Sequence, residues 1–224
     1  MSKNYLIMTV SEENYIKVIY HLSLVSPKGV NTNAIAGMIE TKASSVTDML
    51  KKLSEKNLVS YQKYQGVTLT KKGLHSAKMI VRKHRLWEVF LVDKLNFSWD
   101  EVHEIAEELE HIRSEKLVDQ LDAFLGFPMF DPHGDPIPNA KGEIEKIDKF
   151  LLSEANLNTD YLCVGVKNSS TEFLKYLDKQ NIYLGSTIKV ISCEDFDKSL
   201  TIILNAKTIS ISNKIGENLY INAQ

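Results

Sequence analysis

The chain has 224 residues and a mass of 25.4 kDa, and 43% of its residues are hydrophobic and 25% charged. These values are typical of a folded protein of one to three domains and exclude a mainly disordered chain. No segment approaches the ~20 apolar residues that cross a bilayer, and the N-terminus lacks the features of a signal peptide. Two cysteines are too few for a disulfide framework. We therefore expect a cytoplasmic protein without a membrane partner.

The net charge of −2 conceals an uneven distribution of charge along the chain. Residues 1–85 contain 14 Lys or Arg and 5 Asp or Glu, a balance of +9, whereas residues 86–224 contain 13 and 24, a balance of −11. A basic half suits a polyanion and an acidic half suits cations. Small domains also differ in charge without any functional reason, so charge alone leaves both interpretations open.

The N-terminal part of the chain predicts three helices followed by a hairpin. The helical patterns begin at polar residues that can cap a helix, namely Ser11, Asn31 and Ser44-Ser45. Two alternating segments, Val59–Lys63 and Val67–Thr70, flank Gly66 and predict a β-hairpin. This order is typical of a winged helix-turn-helix, whose second helix enters the major groove while the wing contacts the DNA backbone. We interpret residues 1–73 as a DNA-binding domain.

The remainder of the chain predicts a helical domain and then a small β domain. Helical patterns over residues 74–94, 99–112 and 114–125 define a helical domain of residues 74–142. A further short helix over 143–152 belongs to a linker of residues 143–160. Five strand-like runs rich in Ile, Val, Leu and Thr, with a helix at Ser170–Leu177 between the first two, predict a small β-barrel of residues 161–224. The expected fold class is mainly α with a small β domain.

Histidine and glutamate recur at helical spacing in the acidic part of the chain. His84 and Glu88 are four residues apart, and the next helix carries a stripe at i, i+4, i+7 and i+8, formed by His103, Glu107, Glu110 and His111. Imidazole and carboxylate groups on facing helices form a divalent-metal site, and the absence of thiolate favours Mn(II) or Fe(II) over structural zinc. The alternative is a solvated acidic face. We interpret His133, in a Pro-His-Gly-Asp turn, as a structural residue that satisfies backbone groups.

Six segments, residues 12–20, 44–53, 64–73, 82–88, 102–111 and 131–138, together resemble the diphtheria toxin repressor and manganese transport regulator family. The C-terminal barrel is similar to the SH3-like domain of that family. The resemblance implies a winged helix-turn-helix, a helical metal-binding and dimerisation domain and an SH3-like barrel. It also implies a homodimeric repressor, not an enzyme, that binds operator DNA when loaded with Mn(II) and controls metal-ion uptake, with Fe(II) as the alternative.

The resemblance also implies two metal sites. The primary site would consist of Asn14, Glu107, Glu110 and His111, and the ancillary site of His84, Glu88, His103 and Glu172. Lys17 stands where the manganese regulators carry glutamate, which argues against their binuclear arrangement. We expect a metal at the primary site to join the first helix to the helix carrying Glu107 and so to fix two recognition helices about 34 Å apart.

The start of the predicted recognition helix is rich in residues that suit DNA. Lys42, Ser44, Ser45, Thr47 and Asp48 are expected to face outward there, with Lys51, Lys52 and the wing residue Lys63 adding nonspecific attraction. Hydroxyl groups near a helix N-terminus suit phosphates, and the lysines make binding salt-dependent. Two other classes remain open: a winged-helix regulator that senses an organic ligand through its barrel, and a metal-dependent hydrolase. The sequence contains none of the usual hydrolase motifs.

Overall fold

A computed structural model of the chain describes residues 8–62 and 66–223. The chain divides into two compact units. The first contains the described residues as far as His84, together with Glu107–Asp119 and Pro138–Glu143. The second contains Arg85–Ala106, Gln120–Ile137 and the residues from Ile144 onwards. No helix in the described part of the chain is both long and apolar enough to span a bilayer.

The first unit begins with three helices and a hairpin, as the sequence predicts. These are α1 (Val10–Val25), α2 (Thr32–Ile39), α3 (Ala43–Glu55), β1 (Val59–Gln62) and β2 (Gly66–Leu69). The strands pair antiparallel, with Val59 opposite Leu69. A core of buried aliphatic side chains from all three helices, including Ile16, Ile35 and Leu50, holds them together. The hydrophobic effect therefore packs α1 against α2 and α2 against α3.

Two predicted helix caps differ from the observed ones. The N-cap of α1 is Thr9 rather than Ser11: the Thr9 hydroxyl accepts the Glu12 amide, and the Glu12 carboxylate accepts the Thr9 amide. At α3, Lys42 occupies the N-cap without a side-chain bond, so Ser44 and Ser45 lie inside the first turn. The predicted cap of α2 is correct, because the Asn31 side chain accepts the Ala34 amide at 2.8 Å.

Three helices follow, α4 (Lys71–Leu95), α5 (Val102–Leu109) and α6 (Glu115–Phe124). α5 is shorter at both ends than the predicted helix over residues 99–112. It ends at Leu109, whose carbonyl accepts the Ile112 amide in a turn. Glu110 and His111 therefore lie in that turn rather than on the regular helix, and the helical stripe of the sequence pattern does not continue to them.

The C-terminal part of the second unit is a six-stranded antiparallel sheet. Its strands are β3 (Phe150–Leu151), β4 (Asp160–Val166), β5 (Thr187–Cys193), β6 (Leu200–Leu204), β7 (Lys207–Ile211) and β8 (Leu219–Ala223), in the order β3-β8-β4-β5-β6-β7. Helix α7 (Thr171–Gln180) follows β4, and the short helix α8 (Asn213–Gly216) precedes β8. The helix predicted over residues 143–152 is absent: the segment before β3 is irregular, and β3 pairs with β8. The fold class, mainly α with a small β domain, is confirmed.

Candidate metal centres and DNA-binding helix

The first candidate centre lies in the first unit, where α1 meets the C-terminal end of α5. Glu110 is fully buried, and its Oε2 lies 2.8 Å from His84 Nδ1. The buried ammonium of Lys17, on α1, lies 2.7 Å from Glu110 Oε1 and 2.8 Å from Glu110 Oε2. The same ammonium donates a hydrogen bond to Glu107 Oε1. Lys17 is thus the cation shared by the two carboxylates of the predicted primary site.

The ionisation of Glu110 reflects this surrounding charge. Burial by itself raises the pKa of Glu110, but the hydrogen bond from His84 and the charge of Lys17 outweigh burial and lower it. Burial also lowers the pKa of the neighbouring Lys83, although the carboxylates of Glu13 and Glu110 oppose that shift. Glu110 is therefore an anion that is already paired with cationic groups of this chain.

The other predicted primary ligands are His111 and Asn14. His111 Nδ1 lies 2.6 Å from Glu13 Oε2, which gives α1 a second polar contact with the turn after α5. Asn14 Oδ1 is buried and has no hydrogen-bond partner. His84, assigned by resemblance to the ancillary site, also contacts Glu110. The structure thus brings His84, Glu107 and Glu110 together and leaves the Asn14 oxygen available.

The second candidate centre lies in the second unit and contains three buried side chains, Glu88, Asp131 and His133. His133 Nε2 lies 2.8 Å from the Trp99 carbonyl oxygen, so Nε2–H donates there, and His133 Nδ1 lies 3.8 Å from Glu88 Oε2. Asp131 Oδ1 accepts the amides of His133 and Asp135, each at 2.9 Å. A histidine held through one ring nitrogen on a carbonyl presents the other nitrogen in a fixed direction.

The pKa values of Asp131 and His133 are both raised. Burial and the charge of Glu88 raise the pKa of Asp131 to about 7. Burial opposes protonation of His133, but its hydrogen bond and charge interaction with Glu88 prevail and raise its pKa to about 9. Both shifts favour the more positive form of the group: burial and the charge of Glu88 favour protonated Asp131, and the charges of Glu88 and Asp131 favour protonated His133.

Among the other predicted ancillary residues, Glu88 and His103 lie close together in the second unit. His103 Nδ1 lies 3.5 Å from Glu88 Oε1, with 60% of the His103 side chain exposed. Glu172 is exposed in the first turn of α7, and it belongs to none of the groups of possible ligands found among the described residues. The interpretation of His133 was incomplete, because its ring bonds a backbone carbonyl but also faces Glu88.

The two centres differ in how well they fit a divalent ion. In the first, an ion between Glu107 and Glu110 would lie beside the Lys17 ammonium, and the repulsion of like charges at that distance is strong. The centre therefore does not fit an additional cation while Lys17 lies in it. In the second, carboxylate oxygens and one imidazole nitrogen lie within 4.8 Å of one another, which suits a divalent ion that prefers hard donors. The cationic neighbour there is Arg85, whose Nε lies 3.3 Å from Asp131 Oδ2 and does not lie between two carboxylates of the group as Lys17 does.

The predicted DNA-contacting residues of α3 mostly face solvent. Lys42, Ser44, Ser45, Asp48, Lys51 and Lys52 are exposed, whereas Lys63 lies outside the described residues. Thr47 is half-buried, and its hydroxyl donates to the Ala43 carbonyl at 3.0 Å, so its proton points away from any phosphate. Lys51 Nζ lies 3.3 Å from Asp48 Oδ1, which offsets part of its charge.

Three family models match successive parts of the chain. Residues 8–67 match the DNA-binding domain of iron-dependent repressors, and residues 70–139 match their metal-binding and dimerisation domain. Residues 150–223 match the FeoA domain. The three matches follow one another along the chain in the same order as the three domain types expected from the sequence.

Several proteins are similar to this chain. The transcriptional regulator MntR of Oceanobacillus iheyensis is 30% identical over 63% of this chain and 93% of its own length. The iron-dependent repressor IdeR of Mycobacterium leprae is 32% identical over 56% of this chain and 54% of its own length. A probable metal transport system membrane protein of Chlamydia trachomatis is 46% identical over 86 residues, and this chain spans 19% of that protein.

A solved structure resembles nearly the whole chain. A manganese-dependent transcriptional repressor in complex with manganese superposes with a TM-score of 0.81 and 30% identity, covering 95% of this chain and 100% of that one. The described winged helix, helical domain and C-terminal sheet therefore match the elements of a known group of repressors.

Proposed function

The chain belongs to the diphtheria toxin repressor family of metal-dependent transcriptional repressors, and from this membership we propose that it represses metal-ion uptake as an Mn(II)-loaded homodimer. Proteins of this family bind DNA through the N-terminal domain and dimerise through the metal-binding domain, so the chain is not an enzyme. The similar segment in a chlamydial metal transport protein supports a role in uptake.

The observation that carries the proposal is the buried group formed by Glu88, Asp131 and His133. Glu88 and Asp131 provide hard oxygen donors, and the Trp99 carbonyl orients His133 so that Nδ1 faces Glu88. His103 lies at the exposed edge of this group. A divalent ion bound there would add to the charge of Arg85, whose Nε lies 3.3 Å from Asp131 Oδ2, in compensating the two buried carboxylates.

The donor set favours Mn(II), with Fe(II) as the alternative. Carboxylate oxygens suit Mn(II), whereas imidazole is shared by most first-row ions, and thiolate would move the preference towards softer ions. Cys163 is buried in the C-terminal sheet and Cys193 is exposed, and neither belongs to a group of possible ligands among the described residues. The similarity to IdeR keeps Fe(II) as the second candidate.

The exposed face of α3 binds the DNA. Lys42, Ser44 and Ser45 lie exposed at the N-terminal end of that helix, where backbone amides also attract phosphate. Glu88 lies on α4, the helix that directly follows the wing strand β2 in the chain. If bound metal raises the affinity for DNA, bound DNA must raise the affinity for metal by the same factor, and factors of about 5 to 150 are usual.

The test is fluorescence anisotropy on labelled DNA from upstream of a metal-uptake gene, with scrambled DNA as the reference. Chelator-treated protein is titrated with Mn(II) and, anaerobically, with Fe(II). We expect specific binding only with metal, and we expect Asp131→Asn to abolish the metal dependence. The control Asp160→Asn changes an exposed carboxylate that pairs with Lys189, and it should behave as wild type. Equal DNA binding with and without metal would refute the proposal.

A further inference from the structure

The first centre holds a cation that belongs to the chain itself. Lys17 is 7% exposed, and its ammonium contacts both oxygens of Glu110 and one oxygen of Glu107. A lysine ammonium is a compact point charge with three donors. The Lys17 ammonium donates hydrogen bonds to Glu107 Oε1 and Glu110 Oε2, and it pairs by charge with Glu110 Oε1, which is buried and accepts no hydrogen bond. These are the two carboxylates that the family resemblance assigns to the primary metal.

We propose that Lys17 takes the place of the divalent ion in this centre and holds α1 against the end of α5 without metal. The contact between Glu13 and His111 supports the same attachment, since it joins α1 to the turn that carries Glu110. The attachment that a metal would provide is thus permanent in this chain. Metal dependence then rests on the second centre rather than on the first, and this last step depends on the function proposed above.

The geometry also indicates what removal of the ammonium would produce. Without Lys17, two carboxylates and His84 would remain close together, with Glu110 fully buried and one cation short. The buried Asn14 Oδ1, which has no hydrogen-bond partner, lies three residues before Lys17 on the same helix. Uncompensated buried carboxylates bind a cation strongly. A variant that lacks the ammonium should therefore gain a metal site that the natural chain does not have.

The experiment counts bound Mn(II) per protomer by equilibrium dialysis, with the electron paramagnetic resonance signal of free Mn(II) as the readout. We expect Lys17→Gln to bind about one more ion than wild type, and Lys17→Gln combined with Glu110→Gln to lose that ion again. Lys17→Arg retains the positive charge and should bind as many ions as wild type. The matched control is Lys56→Gln, which removes another lysine paired with a glutamate of α1, at 2.7 Å from Glu12.

Two results would overturn the proposal. If Glu110→Gln alone removes one ion from the wild-type count, the metal displaces Lys17 in the natural protein. If folded Lys17→Gln binds no additional ion, the centre is not a cation site. Should Lys17→Gln unfold without metal, recovery of its circular dichroism on addition of Mn(II) supports the proposal, and failure to recover contradicts it.

The same count separates this inference from the proposed function. A wild-type ion that Asp131→Asn removes, together with an additional ion in Lys17→Gln, supports both. A wild-type protein that binds no Mn(II), together with a Lys17→Gln variant that binds one ion through Glu110, supports the role of Lys17 and refutes the second centre as the metal site.

Discussion

The protonated form of His133 should stabilise the metal-free protein, so the free energy of unfolding should fall as pH rises and His133 loses its proton. The pKa of His133 is raised from 6.5 to about 9 because Glu88 and Asp131 hold the protonated ring, in spite of its burial. A group whose pKa is raised in the folded state stabilises that state fully below the unfolded pKa, and this stabilisation is lost as pH rises through the folded pKa. The relevant window therefore runs from about pH 6.5 to about pH 9.

The size of the effect follows from the shift in the pKa of His133. At 1.36 kcal/mol per pKa unit, a rise from 6.5 to about 9 corresponds to about 3 kcal/mol of unfolding free energy. Asp131, whose pKa is raised to about 7, acts in the same direction at lower pH. His133→Gln should therefore show a much flatter dependence above pH 7, and Glu88→Gln should remove most of the effect because it removes the main partner of the imidazolium.

The assay is urea unfolding of chelator-treated protein at several pH values, followed by Trp fluorescence. Trp99 is a suitable probe because its ring is stacked with that of His133, at 6.3 Å between centroids. The pKa of His133 is checked independently from the pH dependence of its ring proton resonances. An equal loss of stability in wild type and His133→Gln between pH 6.5 and 9, or a resonance titrating near pH 6.5, would refute the reasoning.

Two further predictions concern the DNA-binding unit. In Gly73→Ala the new Cβ would lie 1.8 Å from the Leu58 carbonyl oxygen, so α4 must shift away from the hairpin. We expect the free energy of unfolding, measured in urea, to fall by at least about 2 kcal/mol, and a wild-type value would contradict this. Lys52→Ala removes one exposed lysine from each α3 of a dimer. The steepness of the plot of log DNA affinity against log salt concentration, measured by anisotropy, should fall by about 2. An unchanged slope would mean that Lys52 contacts no phosphate.

Much of the local structure follows from short-range pattern alone. Alternation around Gly66 defines the hairpin, Asn31 caps α2, and apolar periodicity places α1, α3 and α4. These features depend on neighbours a few residues away, so the sequence contains the information directly. The ends of the helices were less predictable, as the Thr9 cap of α1 and the early end of α5 at Leu109 illustrate. Several neighbouring polar residues could each cap a helix, so the pattern does not decide at which residue the helix begins or ends.

The candidate centres show what only the tertiary structure decided. The sequence identified Glu88, Glu107, Glu110 and His84 as possible ligands, because charged groups at helical spacing share a face. It did not reveal that Lys17, 93 residues before Glu110, places its ammonium between the carboxylates, or that Glu88 meets His133 from a distant loop. Residue type and spacing determine which groups can bind a cation. Which cation each carboxylate meets depends on packing between distant segments, and the cost of burying an unpaired charge then fixes the pairing.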